Sequence, residues 1–211
     1  MRAVSASACC TVFWWPAAVS SRKHRAGRVR RRYPAAAVPL VLMVALWSGE
    51  ASGTADDGWR ALYRPLRMPR LAAGSRCPVS RVDLSVPFGH FGVAPGIGPG
   101  PAYPVGMPRG VLPLAPARNF GSQVWGGQKV LWFVHPRYGG PILIRGRRLD
   151  GRGLVRFERG RLPPAELRIP SARGARARPS YTRLCVSGCY AYQIDGKSFS
   201  RVVVFRATGL D

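Results

Sequence analysis

Beyond residue 53, the side chains with the most distinctive chemistry are three cysteines and two histidines: Cys77, Cys185, Cys189, His90 and His135. Zinc sites normally hold four Cys or His ligands, often with a close Cys-x2-Cys pair. The spacing of Cys185 and Cys189 is Cys-x3-Cys, which is a poor match to zinc. A thioredoxin-type redox pair also requires Cys-x2-Cys. The sequence therefore predicts no metal and no cofactor.

The acidic residues of the same region form no catalytic constellation. Asp150 and Asp195 each precede a glycine, which is typical of turns, and Glu158 alternates with apolar residues on an expected solvent face. No Gly-x-Ser-x-Gly nucleophile motif accompanies His90 or His135. We therefore predict no catalytic residues.

Aromatic and arginine side chains offer a different chemistry, the binding of an anionic ligand. Trp125 and Tyr138 lie beside glycines in expected turns, where aromatic rings reach the surface. Arg145, Arg147 and Arg148 follow closely in the sequence. Guanidinium groups beside aromatic faces can bind acidic sugars or phosphate. These five residues are the predicted ligand-binding set.

The overall charge points to the same class of partner. The 211-residue chain has 33 Lys and Arg against nine Asp and Glu, a formal net charge of +24, and only three of the basic residues are lysine. A chain this basic attracts polyanions such as nucleic acid, anionic lipid or acidic cell-envelope polymers. No block of five or six basic residues occurs after residue 53, so we expect no specific nucleic-acid partner.

An export signal is predicted over residues 28–53. Arg28 to Arg32 form a basic n-region, 35–47 is an uncharged and mostly apolar run, and small residues follow in SGEASG. The apolar run is shorter than the roughly 20 residues that span a bilayer. Cleavage before Thr54 would secrete the chain or leave it in the cell envelope. The alternatives are an uncleaved N-terminal membrane anchor, the only membrane contact we expect, and a buried soluble helix.

Residues 1–27 would make the basic n-region unusually long, and we interpret them as disordered or as preceding the true start. Residues 54–123 are rich in Pro, Gly and Arg and are predicted to be an exposed linker followed by an irregular extended segment.

The elements that must position any site are short β-strands. From residue 124 onward, apolar or alternating runs are separated by Gly, Pro and Asp-Gly, with Asp195-Gly196 as a favoured hairpin turn. Seven strands are predicted, within 129–136, 141–146, 153–160, 165–170, 180–184, 189–195 and 198–207. No confident helix is predicted after residue 50. The pattern predicts an all-β fold, an immunoglobulin-like antiparallel β-sandwich over 124–207.

Two stretches carry a family resemblance: 130–151 (VLWFVHPRYGGPILIRGRRLDG) and 188–205 (GCYAYQIDGKSFSRVVVF). Both resemble uncharacterised exported bacterial proteins from high-GC genomes. The resemblance covers well under half of the chain. It implies secretion and a β-sandwich, and it implies no activity.

An exported chain would meet an oxidising space, so the cysteines predict a structural disulfide. Pairing Cys77 with Cys189 would join the irregular segment to the sandwich, and Cys185–Cys189 is the alternative. The predicted function is a non-catalytic envelope or extracellular binding or structural module, with anionic envelope polymers as the expected partner and the oligomeric state left open. The alternatives are a nucleic-acid- or polyanion-binding basic protein and a small secreted hydrolase.

Overall fold

The computed structural model describes residues 57–72 and 74–210. The expectations for 1–27 and for the export signal at 28–53 lie outside the described residues. Within them, no helix is long and apolar enough to cross a membrane.

Strands dominate the described part of the chain. They are β1 Ala102–Val105, β2 Val111–Pro113, β3 Gly126–Val134, β4 Ile142–Arg148, β5 Arg156–Phe157, β6 Glu166–Ile169, β7 Arg176–Leu184, β8 Gly188–Gly196 and β9 Ser200–Thr208. Helix α1 covers Asp57–Arg60, and short 3-10 helices cover Phe88–Phe91, Pro108–Gly110 and Ala117–Phe120.

The strands form two sheets, one with the order β1-β3-β7-β5 and the other with the order β2-β9-β8-β4-β6. Every pair is antiparallel except β2 and β9, which run parallel. The sheets pack face to face, so the prediction of an all-β sandwich is confirmed.

Alternation along the strands places the core between the sheets. Trp132 of β3 and Tyr192 of β8 meet edge to face at 5.0 Å, and Tyr192 stacks on Phe205 of β9 at 4.5 Å. Burial of aromatic rings is a large favourable term in folding. The Tyr192 hydroxyl is hydrogen-bonded to Thr182 at 2.6 Å. Its burial raises the pKa of Tyr192 far above the usual range.

Two strands lie upstream of residue 124, within the segment that the sequence predicts to be a linker and an irregular extension. β1 pairs with β3, and β2 pairs with the end of β9. Pro104 lies in β1, which is an edge strand, and an edge position tolerates a residue that lacks an N–H group.

The hairpin turn between β8 and β9 also differs from the sequence expectation. Asp195 pairs with Ser200, and the Gly196 N–H donates to the Phe199 carbonyl at 3.0 Å, so the turn lies at residues 197–198. Strand β8 therefore continues through the Asp195-Gly196 pair that the sequence assigned to the turn. Asp195 is fully buried there and is bonded to Arg145, an interaction that a turn position would forfeit.

Residues 59–72 and 74–80, which we call the strap, lie across the outer face of the five-stranded sheet. Met68 belongs to a buried apolar cluster with Leu149, Ala191 and Val204 of the sheet and its loops. The chain then reaches the outer face of the other sheet, where Phe88 contacts Tyr103 and Phe133 edge to face. The strap is thus a packed layer, unlike the exposed linker that the sequence predicts, because its apolar residues pack on the apolar residues of this sheet face.

A disulfide closes the strap onto the sheet. Cys77 of the strap is bonded to Cys189 of β8, with a sequence separation of 112 residues. This confirms the pairing predicted from the sequence and excludes the alternative Cys185–Cys189 bond. Cys185 takes no part in this bond and is not a free thiol.

The double substitution Cys77→Ser, Cys189→Ser should lower the free energy of unfolding by roughly 4 kcal/mol, because it restores the conformational entropy of a long loop in the unfolded chain. Urea denaturation followed by tryptophan fluorescence measures the change. An unfolding midpoint equal to that of the native oxidised protein would contradict the structural role of the bond.

Candidate anion-binding surface

The strap sequence alternates between residues that face the sheet and residues that face solvent. Leu62 is fully buried and Met68 nearly so. Arg60, Arg67 and Arg70 are exposed. Prolines at 65 and 69 favour an extended backbone and disfavour a helix, which keeps this alternation in place.

The strap backbone is satisfied by side chains of the sheet beneath it. Gln193 of β8 donates to the Pro65 carbonyl at 3.1 Å and accepts from the Arg67 N–H at 2.7 Å. Arg147 of β4 donates to the Met68 carbonyl at 2.9 Å. Because a buried backbone group without a partner is costly, these polar side chains specify where the strap lies.

A buried carboxylate lies under one end of the strap. Asp195 accepts from Arg145 at 2.8 Å and from Ser200 at 2.6 Å, and the Arg64 guanidinium is 3.8 Å away. Gln193 donates to both Asp195 oxygens, at 3.2 and 3.0 Å. The negative charge is therefore neutralised in place, and the network joins β4, β8, β9 and the strap.

The start of the strap is held by aromatic and charged side chains. The Tyr63 hydroxyl donates to Glu166 of β6 and accepts from Arg168 at 2.9 Å. Arg145 lies over the Tyr63 ring at 5.3 Å, a cation–π contact. Burial and the hydrogen bond to Glu166 raise the pKa of Tyr63 above its usual range, so the hydroxyl stays protonated and can donate.

The outer side of the strap carries cations that lack counterions. Arg67, Arg70 and Arg76 are exposed, and none of their guanidinium groups makes an ion pair or a hydrogen bond within the described residues. Arg206 of β9 is exposed as well and lies opposite Cys189 in the β8–β9 ladder, next to the disulfide. We call these four arginines the strap surface.

The five acidic residues whose side chains the structure describes, from residue 83 to residue 195, are already engaged elsewhere. Asp150 bonds Arg148, Glu158 bonds Arg178, and Glu166 bonds Arg168. Asp195 is held under the strap, and Asp83 accepts from Ser85 and Tyr103. An anion that approaches the strap surface therefore meets guanidinium groups with free donors.

The structure disperses the five residues predicted to bind a ligand. Arg145 and Arg147 lie beneath the strap and bond to it, and Arg148 is paired with Asp150 at 2.6 Å. Trp125 is almost buried just before β3, where Arg156 stacks on its ring. Tyr138 follows β3 at the opposite end of that strand and donates to the Pro141 carbonyl.

Sequence reasoning missed the strap and the polar layer under it. Gln193 and Asp195 sit in an apolar strand, and Arg145 follows the run ILI, so each is a polar residue in a strand with buried neighbours. A polar residue at a buried position requires a hydrogen-bond partner. The presence of such residues in these strands is therefore the sequence signal that another segment covers this sheet face. The partners of Gln193 are Pro65 and Arg67, which lie more than a hundred residues away in the sequence.

Among the described residues, no group of three or more His, Cys, Asp and Glu side chains is arranged so that it could hold a metal ion. Comparisons with protein-family models, with curated proteins and with solved structures find no match to this chain.

Asp195→Asn should lower the free energy of unfolding by about 3 kcal/mol, because Arg145 would keep a part-buried charge without its counterion. Denaturant titration measures this, and the rate of tryptic cleavage after Arg67 and Arg70 should rise as the strap loosens.

The matched control is Glu158→Gln, which removes a half-exposed ion pair with Arg178. Pairs of this kind contribute less than about 1 kcal/mol. Equal effects of the two substitutions would show that the buried network has no special role.

Proposed function

We propose that this protein is an exported, non-catalytic module that binds anionic polymers of the cell envelope through the strap surface. The observation that carries the proposal is the set of exposed guanidinium groups of Arg67, Arg70, Arg76 and Arg206, none of which makes an ion pair or a hydrogen bond within the described residues. Guanidinium groups bind phosphate and carboxylate in a bidentate manner. A rigid support lowers the entropic cost of binding, and the disulfide and the polar layer provide that support.

The spacing of these cations suits an extended polymer better than a small ligand. Arg67 and Arg70 lie on an extended stretch, where the rise is roughly 3.3 Å per residue, and Arg76 follows a turn in which the Ser75 N–H donates to the Ala72 carbonyl at 3.1 Å. A compact ligand could contact one or two of them, whereas a polyanion with repeated phosphate or carboxylate groups contacts all. Binding of this type releases condensed counterions and weakens steeply with salt.

The proposal includes an immunoglobulin-like topology. The order β1-β3-β7-β5 corresponds to strands A, B, E and D of that fold, and β4, β8 and β9 take the places of C, F and G. The Tyr190 hydroxyl near the start of β8 donates to the Val186 carbonyl at 2.9 Å, as in the tyrosine corner of strand F. Two features depart from the pattern. Strand β6, which lies beside β4 where strand C′ of that fold would lie, follows β5 along the chain instead of preceding it. The disulfide joins β8 to the strap instead of joining the two sheets.

Two observations and one resemblance support export. Residues 28–53 have the order of charge, apolar run and small residues that a signal peptide requires. The Cys77–Cys189 disulfide fits an oxidising compartment. The resemblance at 130–151 and 188–205 is to exported proteins.

The triple substitution Arg67→Gln, Arg70→Gln, Arg76→Gln should reduce the affinity for synthetic poly(glycerol phosphate) by at least about tenfold at low salt, because three phosphate contacts are lost. The slope of log affinity against log salt should fall by about 2 to 3. Titration calorimetry at several salt concentrations measures both quantities.

The matched control is Arg109→Gln, Arg137→Gln, Arg173→Gln, which removes the same charge from exposed residues elsewhere. Equal losses in the two variants would mean that net charge alone attracts the polymer, and the strap surface would be rejected. A duplex DNA probe tests the nucleic-acid alternative, and tighter binding to DNA than to the polymer would favour it.

Export predicts that the protein recovered from the culture medium or envelope of the native bacterium begins at Thr54. N-terminal sequencing of that material measures the cleavage site. Recovery from the cytoplasm with residues 28–53 still attached would contradict the proposal.

A further inference from the structure

A second surface lies on the outer face of the four-stranded sheet, where two loops meet. One is the segment 117–125, which begins with the 3-10 helix Ala117–Phe120, and the other is the loop 158–164 between β5 and β6. Arg156 joins them, because its guanidinium lies over the Trp125 ring at 5.2 Å and donates to the Pro163 carbonyl at 3.0 Å.

Arginine–aromatic stacking fixes the rest of this region. Arg159 lies over the Tyr181 ring at 4.7 Å, and its guanidinium donates to the Tyr181 hydroxyl at 3.0 Å. Arg183 is fully buried, lies 4.4 Å from the Phe120 ring centroid and donates to the carbonyls of Trp125 and Glu158. Burial, and then repulsion from Arg159, lower the pKa of Arg183. Both loops are thus held in place by bonds to the sheet.

The held loop presents an apolar side chain to solvent. Leu162 is 79% exposed, although Pro163 beside it is buried and the Phe157 N–H donates to the Pro164 carbonyl at 2.8 Å. Val124, next to Trp125 in the other loop, is 37% exposed. An isolated exposed leucine needs no explanation, but this one is held outward by a loop whose flanking residues are fixed.

The loop that carries the exposed leucine also carries cations. Arg159 and Arg161 precede Leu162 in this loop and are exposed, and Arg118 of the neighbouring 3-10 helix is exposed too. Glu158 is the acid of this loop, and it is already paired with Arg178 at 3.1 Å. An apolar tip with a cationic rim is complementary to the boundary between acyl chains and anionic headgroups of a bilayer.

We propose that the loop 158–164 contacts an anionic lipid bilayer, with Leu162 inserted among the acyl chains and Arg159 and Arg161 on lipid phosphates. This inference goes beyond the proposed function, because it concerns a different set of residues and a different partner. An exported module with both surfaces would contact the membrane through the loop 158–164 and bind an envelope polymer through the strap surface.

Protection from trypsin tests the contact on the full chain. The test compares two cleavage sites of the same molecule, so membrane attachment through the N-terminal apolar segment alone would not imitate the result. Cleavage between Arg161 and Leu162 is compared with cleavage between Arg173 and Gly174, an exposed site in the loop after β6, by mass spectrometry of the peptides. Vesicles of phosphatidylglycerol should slow the first cleavage at least about fivefold relative to the second. Vesicles of phosphatidylcholine should leave the ratio unchanged.

Leu162→Ser should abolish most of this protection. The matched control is Leu84→Ser, which alters a leucine that is 91% exposed but is flanked by Asp83 and Ser85. Both variants should keep the native melting temperature, since both side chains lie in solvent.

An unchanged cleavage ratio with phosphatidylglycerol vesicles would overturn the proposal, and so would full protection in Leu162→Ser. Protection by soluble inorganic polyphosphate but not by vesicles would also overturn it, because the loop would then bind a polyanion. None of these results bears on the strap surface, whose test uses Arg67, Arg70 and Arg76.

Discussion

A carboxylate removed from water must be neutralised where it lies, and Asp195 meets this requirement through residues that come from four parts of the chain. Arg145 of β4, Gln193 of β8, Ser200 of β9 and Arg64 of the strap surround it. Loss of any one of them would leave the others with an unpaired polar group in a poorly solvated place. This network fixes one end of the strap together with the bonds from Gln193 and Arg147 to its backbone, and the Cys77–Cys189 bond holds the other end.

The same arrangement explains how so basic a chain can fold and still present cations. The acidic side chains that the structure describes, from residue 83 to residue 195, have partners within the protein, and several of them neutralise an arginine of the sheet or the strap. Arginines at buried positions donate to backbone carbonyls, as Arg147 does to Met68 and Arg183 does to Trp125. Other arginines are exposed to solvent on segments whose backbone is hydrogen-bonded to side chains of a sheet. Both proposed surfaces contain exposed arginines of this kind.

The strands could be predicted from sequence because their signals are local. Each of the seven predicted strands after residue 124 has an observed counterpart, since alternation and turn residues act over a few positions. The Cys77–Cys189 pairing also followed, from the number of cysteines and their places in the chain. The strap could not be recognised, because prolines and arginines interrupt its short alternation and its partners are distant in sequence. The turn after β8 was misplaced for the same reason, since the long-range Arg145–Asp195 bond outweighs the local preference of Asp-Gly.

Amide hydrogen exchange tests most directly whether the strap is a packed layer of the sandwich. The N–H groups of Arg67, Leu71 and Ser80 donate to Gln193, Leu149 and Val204, at 2.7, 2.9 and 2.9 Å. In the native oxidised protein these three amides should exchange on the order of a hundredfold more slowly than in an unstructured peptide of the same sequence. Exchange of all three at the unstructured rate, while the amides of β8 stay protected, would contradict the account.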